Sequence, residues 1–268
     1  MKSLIIALSL VAAAPVTAHA ATAPDPLAAL RKQLSAGKGV SFVQHSVRGK
    51  QAMLDVKGRL RYDASGLAAS DITIKPRYGS VREGDPLQTP DEQRNLLLSS
   101  PEQIIRVGTA AYTKGKLVAE GLPAGKTWWK QDPGWTNGVR GLLGEIINPA
   151  EPATLKALLA KATRSGSTYR GKIRSTELLK ISPWTRATMY WKPFDNDTIT
   201  WSLTVTPSGL PRKLVTVTTG QSGKRVETTY TGWGRKTAIE PPPAARVSTT
   251  LNEDQMTWAI TLPKAPRR

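Results

Sequence analysis

Strict alternation of apolar and charged side chains over residues 53–64, MLDVKGRLRYDA, is the feature that most constrains the fold. Successive side chains of an extended strand point to opposite faces, so this stretch has one apolar and one charged face. Such a strand is typical of an antiparallel sheet that packs on a core with one side and faces water with the other. The chain is therefore predicted to be built around a sheet that is covered on only one face.

Further strands are predicted before and after a helical middle region. The same kind of pattern indicates strands at residues 70–76, 104–115, 127–131, 167–173, 186–192, 198–206, 208–219 and 224–230. Most connections in the second half are short, so strands that follow one another in the chain are predicted to be antiparallel neighbours. The three prolines at 241–243 cannot donate hydrogen bonds to a ladder, so the sheet is predicted to end or to present an edge there.

A few helices are predicted to cover the apolar face of this sheet. Asp25 and Pro26 are typical of a helix start. Apolar residues recur with helical spacing over residues 139–146, and again over residues 155–162 after Pro152. Together these elements predict an α+β fold in which a curved antiparallel sheet packs against a few helices.

The first twenty residues are predicted to be a secretory signal peptide. Residues 1–20 have a basic start, a short apolar stretch at 4–14 and a small-x-small pattern at 18–20. Residues 21–250 are then predicted to form a single domain, and residues 251–268 a C-terminal extension. The chain contains no cysteine, which a bacterial lipid anchor requires directly after the signal peptide. The protein is therefore expected to be secreted, extracellular and not lipid-anchored.

The formal net charge is +18 at pH 7, and the basic residues are spread singly or in pairs. A basic secreted protein is attracted to anionic surfaces, so a phospholipid membrane or an acidic cell-wall polymer is an expected partner. Nucleic acid is not an expected partner outside the cell. A general basic bias that serves only solubility remains the open alternative.

The composition removes several kinds of chemistry. Without residues 1–20, His45 is the only histidine, and there is no thiol. His-based and Cys-based metal sites and thiol nucleophiles are thereby excluded, and neither a metal nor a cofactor is expected. The protein is predicted not to be an enzyme. A hydrolase that uses His45, or a pair of acids that no pattern marks, is the open alternative.

Three segments of the second half resemble a known family: STYRGKIRSTELLKISPW, ITWSLTVTPSGLPRKLVTVTT and TTYTGWGRKTAIEPPPAARV. Their order is similar to that in secreted proteins and lipoproteins of actinobacteria, in particular the mycobacterial LppX/LprG lipoprotein family, and more distantly to the LolA/LolB carriers. The resemblance implies a half-barrel sheet wrapped over helices with an apolar cavity between, closed by the last of the three segments. It also implies that the ligand is an acylated lipid or another hydrophobic molecule.

A cavity of this kind would be lined by the apolar residues of the sheet and of the helices. The candidates are Leu54, Val56, Leu60, Ile72, Ile74, Ile199, Trp201 and Leu203 from strands, and Leu142, Leu143, Ile146, Leu155, Leu158 and Leu159 from helices. The same residues would equally form a closed core. In that case an envelope-sensing or protein-interaction module on the same scaffold is the alternative function, with contacts at the sheet edge beside residues 241–243 and at the insertion 78–101.

Overall fold

The computed structural model describes residues 24–77, 99–138, 144–189, 197–218 and 223–255. The signal-peptide prediction and residues 256–268 of the predicted C-terminal extension lie outside these ranges, as does most of the insertion predicted at 78–101. Within the described ranges, no helix is both long and apolar enough to cross a membrane.

Twelve strands form one open, mixed sheet, which confirms the predicted α+β half-barrel class. The strands are β1 Lys38–Arg48, β2 Gln51–Asp63, β3 Gly66–Pro76, β4 Glu102–Val107, β5 Ala110–Gly115, β6 Trp128–Gln131, β7 Thr163–Ser165, β8 Thr168–Arg174, β9 Thr198–Val205, β10 Pro211–Thr218, β11 Lys224–Lys236 and β12 Val247–Ser248. Their order across the sheet is β12-β6-β5-β4-β3-β2-β1-β11-β10-β9-β8-β7. All neighbours are antiparallel except β12 and β6.

Within the described ranges, five short α-helices accompany the sheet. They are α1 Pro26–Arg31, α2 Lys116–Ala119, α3 Pro152–Ala160, α4 Ser175–Ile181 and α5 Pro183–Thr188, with 3-10 turns at Ala244–Arg246 and Glu253–Gln255. The start of α1 is as predicted, since the Asp25 carboxylate accepts a hydrogen bond from the Leu27 N–H at 2.8 Å. The helix predicted after Pro152 is confirmed as α3.

The main core lies between the inner face of the sheet and helices α1, α3, α4 and α5. Inward positions alternate with outward ones along every long strand, as in the burial of Leu54, Val56 and Leu60 on β2. The core extends from Ile104 on β4 to Tyr169 on β8 as one cluster of buried side chains. The outer face carries polar and charged residues, so the sheet is covered on one side as the alternation predicts.

Two of the predicted strands differ from the structure. Residues 104–115 form the β4–β5 hairpin and not one strand, because Gly108 has a φ of 60° and reverses the chain. The strand predicted at 186–192 is wrong where the structure describes it, since residues 186–188 belong to α5 and Met189 is outside any strand, while residues 190–192 lie outside the described residues. Ser182 caps that helix by accepting from the Thr185 N–H at 3.0 Å, and Pro183 is its first residue.

The helix predicted over residues 139–146 is also wrong where the structure describes it, since residues 144–148 are not helical. Backbone groups of this segment bond to side chains of neighbouring elements and not to one another. The Glu145 N–H donates to Gln44, and the carbonyls of Glu145 and Ile146 accept from Trp184 and Thr185. Tertiary contacts therefore override the helical spacing of the sequence.

The prediction that the sheet ends or presents an edge at residues 241–243 holds only in part. The chain leaves the sheet after Lys236, but β11 is a central strand that pairs with β1 and β10. Gly232 and Gly234 have φ values of 70° and 77° inside β11, opposite a register shift in β1. These glycines therefore form a bulge within the strand, which continues past Trp233.

Candidate ligand pocket

A small pocket, partly open to solvent, lies between the centre of the sheet and the segment of residues 144–148, and the free space inside it is about 10 Å³, room for about one water molecule. Strands β1, β2 and β11 form its floor, and helix α5 closes one side. Its walls are Phe42, Gln44, Leu60, Glu145, Ile147, Asn148, Trp184, Thr228 and Tyr230. The first and last long strands of the chain meet there, so residues far apart in sequence share one site.

Aromatic rings form much of the pocket wall. The rings of Phe42 and Tyr230 lie 6.2 Å apart between centroids. The Phe42 ring covers Gly58 of the neighbouring strand so closely that a Cβ on Gly58 would lie 2.4 Å from it. Gly58 therefore allows the ring to lie flat on the sheet beside the pocket, and any larger residue there would force the ring to move.

Two buried carboxylates stabilise this wall through hydrogen bonds. Glu145 Oε2 accepts from the Thr216 hydroxyl at 2.6 Å, and Oε1 from the Ile147 N–H at 2.9 Å. Glu151 accepts from the Trp184 N–H at 2.8 Å, the Thr154 hydroxyl at 2.9 Å and the Ser182 hydroxyl. Burial raises the pKa of both carboxyl groups above the ordinary value of 4.5, although these hydrogen bonds lower it in part.

Three polar groups in the pocket have no hydrogen-bond partner among the described residues. They are the side-chain amide nitrogens of Gln44 and Asn148 and the hydroxyl of Thr228. All three residues are buried, with exposed fractions of 4%, 2% and 1%. A buried polar atom without a partner costs free energy, roughly 1–3 kcal/mol, so a cluster of them is unusual in a core that serves only stability.

Paired threonine substitutions test whether the Thr228 hydroxyl is really unpartnered. Thr228→Val is expected to raise the free energy of unfolding by about 1 kcal/mol, because it removes a buried group that bonds to nothing. Thr216→Val, on the neighbouring strand, is expected to lower it by about 1–3 kcal/mol, because Glu145 loses a donor. Urea unfolding of both variants measures this, and equal losses would contradict the assignment.

The raised pKa values of Glu145 and Glu151 predict a pH dependence of stability. Each carboxyl group binds its proton more tightly in the folded state, so its contribution is present below pH 4.5 and is lost as pH rises through the raised pKa. The free energy of unfolding of the wild type should therefore fall between pH 4.5 and pH 7. Glu145→Gln, which cannot titrate at this position, should show a smaller fall over the same range. Urea titrations at both pH values measure it, and an unchanged fall would contradict the buried, raised carboxyl.

One of the fourteen candidate lining residues lines this pocket, and the other described ones belong to the main core or pack against it. Among them, Leu60 lines it directly. Ile146 and Leu159 are partly buried against the main core, and Leu142 and Leu143 lie outside the described residues. The other candidates are members of the core cluster: Leu54, Val56, Ile72, Ile74, Leu155, Leu158, Ile199, Trp201 and Leu203.

Sequence reasoning missed the polar part of the pocket. Gln44 and Thr228 stand at inward positions of their strands, flanked two residues away by Phe42 and Tyr230. A polar residue in register with inward apolar ones is a visible signal in the sequence. His45, by contrast, lies on the outer face and bonds to Asp55 at 2.7 Å. Across the described ranges, no cluster of His, Asp or Glu could hold a metal ion.

Comparison with known proteins gives structural likeness only. No protein-family model and no curated protein matches the chain. Among solved structures, the lipoprotein LppX of Mycobacterium tuberculosis matches with a TM-score of 0.38 and 12% identity, covering 80% of this chain and 98% of that one. A LolA superfamily protein of Nitrosomonas europaea matches with a TM-score of 0.34 and 8% identity, covering 81% and 93%. Likeness at this level assigns neither a family nor a ligand, so function has to be argued from the pocket itself.

Proposed function

We propose that this protein binds an acylated lipid or a similar amphiphile in the pocket at the centre of its sheet, and that it does so without catalysis. The observation that carries the proposal is the set of unpartnered polar groups of Gln44, Asn148 and Thr228 in a wall of aromatic rings. A few placed polar groups in an apolar surround are the usual make-up of a small-molecule site. An ester, amide or hydroxyl oxygen of the ligand would accept from the two amide groups.

The pocket supports binding and gives no support for a hydrolytic role. Both oxygens of its one acid, Glu145, accept hydrogen bonds from the protein itself. That carboxyl group is therefore committed to holding the segment of residues 144–148 and to orienting Thr216. A general base needs a free oxygen within reach of the proton it abstracts.

The size of the pocket limits how much of the ligand it holds. Its free space of about 10 Å³ has room for about one water molecule, whereas ordinary ligand sites measure roughly 300–1,000 Å³. The segment of residues 144–148 and the core around it must therefore move apart to admit both the polar end and the acyl chain of a ligand. Each methylene that is buried contributes about 0.8 kcal/mol, which can offset the hydrogen bonds that hold the segment of residues 144–148 to the sheet.

The proposal places the protein in the cell envelope as a secreted, unanchored binding protein. The alternative is a sensing or protein-interaction module on the same scaffold, and the small volume of the pocket favours it. A module of that kind would stay folded without lipid and would recover one partner protein in stoichiometric amount. An outcome of this kind, with no lipid bound, would replace the binding proposal.

Quenching of Trp184 fluorescence by a brominated stearoyl ester tests the proposal. Trp184 lines the pocket, so the brominated chain should quench wild type at saturation and quench Trp184→Phe distinctly less. Thr228→Val should bind about tenfold more weakly, because the ligand's polar end loses one hydrogen bond worth about 1.4 kcal/mol. Quenching that is equal in all three proteins, or absent in all, would contradict binding at this pocket.

A further inference from the structure

The outer face of the sheet, opposite the pocket, carries two groups of cations. One group lies on β8. The other lies on β2 and β3, which are five and six strand positions from β8 across the sheet. The members are Arg170, Lys172 and Arg174 in the first group and Lys57, Arg61 and Lys75 in the second. All are exposed except Arg61, which is half-buried. They stand at outward positions, since the residues between them point into the core.

The acids on this face already have partners. Asp55 is paired with His45 at 2.7 Å and with Arg77, and Asp71 with Arg59 at 2.6 Å. Glu227 is paired with Lys213 at 2.6 Å. None of the six cations in the two groups forms an ion pair with any residue that the structure describes. Two of them still have an acid nearby, since Arg61 attracts the Asp63 carboxylate and Lys75 stands opposite Asp55 across β2 and β3, so the charge of the two groups is balanced only in part.

Hydroxyl groups form part of the surface between the two cationic groups, beside the Lys213–Glu227 ion pair and the outward valines of β10. Thr200, Ser202 and Thr204 are the outward residues of β9, and Thr229, Thr231 and Ser41 continue them on β11 and β1. Val43 on β1 and Val217 on β10 are the large apolar side chains exposed in the described ranges, and both lie on this face, 39% and 36% exposed. Two partly exposed valines among hydroxyls and cations offer little to insert between lipid tails, so the surface suits a hydrated anion better.

The shape of the sheet decides between a flat and a flexible anionic partner. From β8 to β2 there are five strand steps, which span about 24 Å at about 4.8 Å each. Neighbouring strands are rotated by about 20–25°, so the two ends of this path differ in direction by about 100° or more. A planar bilayer would touch one cationic group but not both. A flexible chain can follow the twist and contact both.

We propose that the outer face of the sheet binds a flexible linear polyanion with phosphate groups along its length, which lies across the strands from the Arg170, Lys172, Arg174 group to the Lys57, Arg61, Lys75 group. Arginine and lysine are the ordinary partners of phosphate oxygens, and outward residues two apart on a strand are spaced about 6.7 Å. This surface is separate from the pocket, so the proposal does not depend on lipid binding.

Inorganic polyphosphate is the probe, and the salt dependence of its affinity is the measurement. If about six phosphates are contacted, log Ka should fall with log salt with a slope of about −4, taking about 0.7 per contact on a single-stranded polyanion. The triple variant Arg170→Ala, Lys172→Ala, Arg174→Ala should reduce the slope to about −2. The matched control Lys32→Ala, Lys156→Ala, Lys180→Ala removes the same charge from exposed positions on the helical side of the protein, and should keep the wild-type slope.

Three outcomes would overturn the proposal. Equal changes in both triple variants would show attraction by net charge alone. Equally tight binding of vesicles of anionic phospholipid would assign the surface to a membrane. Competition by orthophosphate at the same phosphate concentration would indicate single-phosphate sites in place of a polymer path. Thr228→Val, which alters only the pocket, should leave polyphosphate binding unchanged, so failure here is distinguishable from failure of the pocket proposal.

Discussion

Replacement of Glu151 with alanine is expected to lower the free energy of unfolding by about 3–5 kcal/mol, among the largest effects of any single change in this chain. The carboxylate is buried and accepts from Thr154, Ser182 and the Trp184 N–H. Its removal leaves three buried donors without an acceptor at the junction of α3 and α5. Each such group costs roughly 1–3 kcal/mol, and partial rearrangement recovers some of this.

The control for Glu151→Ala is the same substitution at a half-exposed acid of the neighbouring helix. Glu177 bonds to Lys161 at 2.9 Å near the surface, where an ion pair contributes only about 0–1 kcal/mol. Glu177→Ala should therefore shift the urea midpoint little, with an unchanged m-value. A loss for Glu151→Ala as small as that for Glu177→Ala would show that the junction has other acceptors and would contradict its assigned role.

Replacement of Trp201 with alanine is also expected to lower the free energy of unfolding by about 3–5 kcal/mol. The side chain is 2% exposed and lies in the centre of the main core. Its ring covers Gly171 of β8, where an added Cβ would lie 2.7 Å from the ring carbon Cζ2. Truncation leaves a cavity that the flat sheet surface around Gly171 cannot fill by collapse.

Trp201→Phe separates the loss of ring volume from the loss of the indole N–H. The Nε1 atom of Trp201 has no hydrogen-bond partner among the described residues, so its removal should cost nothing in hydrogen bonding. The expected loss is smaller than that of Trp201→Ala, because the phenyl ring still fills much of the site and leaves a smaller cavity. Thermal or urea unfolding of the two variants measures the difference, and equal losses would show that the N–H has a partner in solution.

Local alternation was enough to predict most of the sheet. Leu54 to Leu60 on β2 and Ile199 to Leu203 on β9 alternate in the structure as they do in sequence. The order of strands was not predictable in this way, because the pairing of β11 with β1 joins residues about 180 positions apart. Residues 144–146 were predicted as part of a helix over 139–146. Helical spacing in the sequence does not reveal that Gln44, Trp184 and Thr185 bond the backbone of Glu145 and Ile146.

The pocket was harder to predict than the fold. Its apolar residues are indistinguishable in sequence from those of a closed core, since both alternate in the same way. What marks the site is a polar pair: Gln44 on β1 and Thr228 on β11 stand at inward positions and become cross-strand partners only in the folded chain. The outward cations Arg170, Lys172 and Arg174 were visible as a charged strand, but their distance from the second group depends on strand order.

Native mass spectrometry of the protein purified from a secreting bacterial host, followed by solvent extraction, tests the pocket most directly. If the pocket binds lipid, the wild type should carry an amphiphile in near-stoichiometric amount, with an ester, amide or hydroxyl group at its polar end. Thr228→Val should retain this ligand about tenfold more weakly. A folded wild-type protein that carries no lipid, and takes none up from added acyl esters, would contradict the binding function.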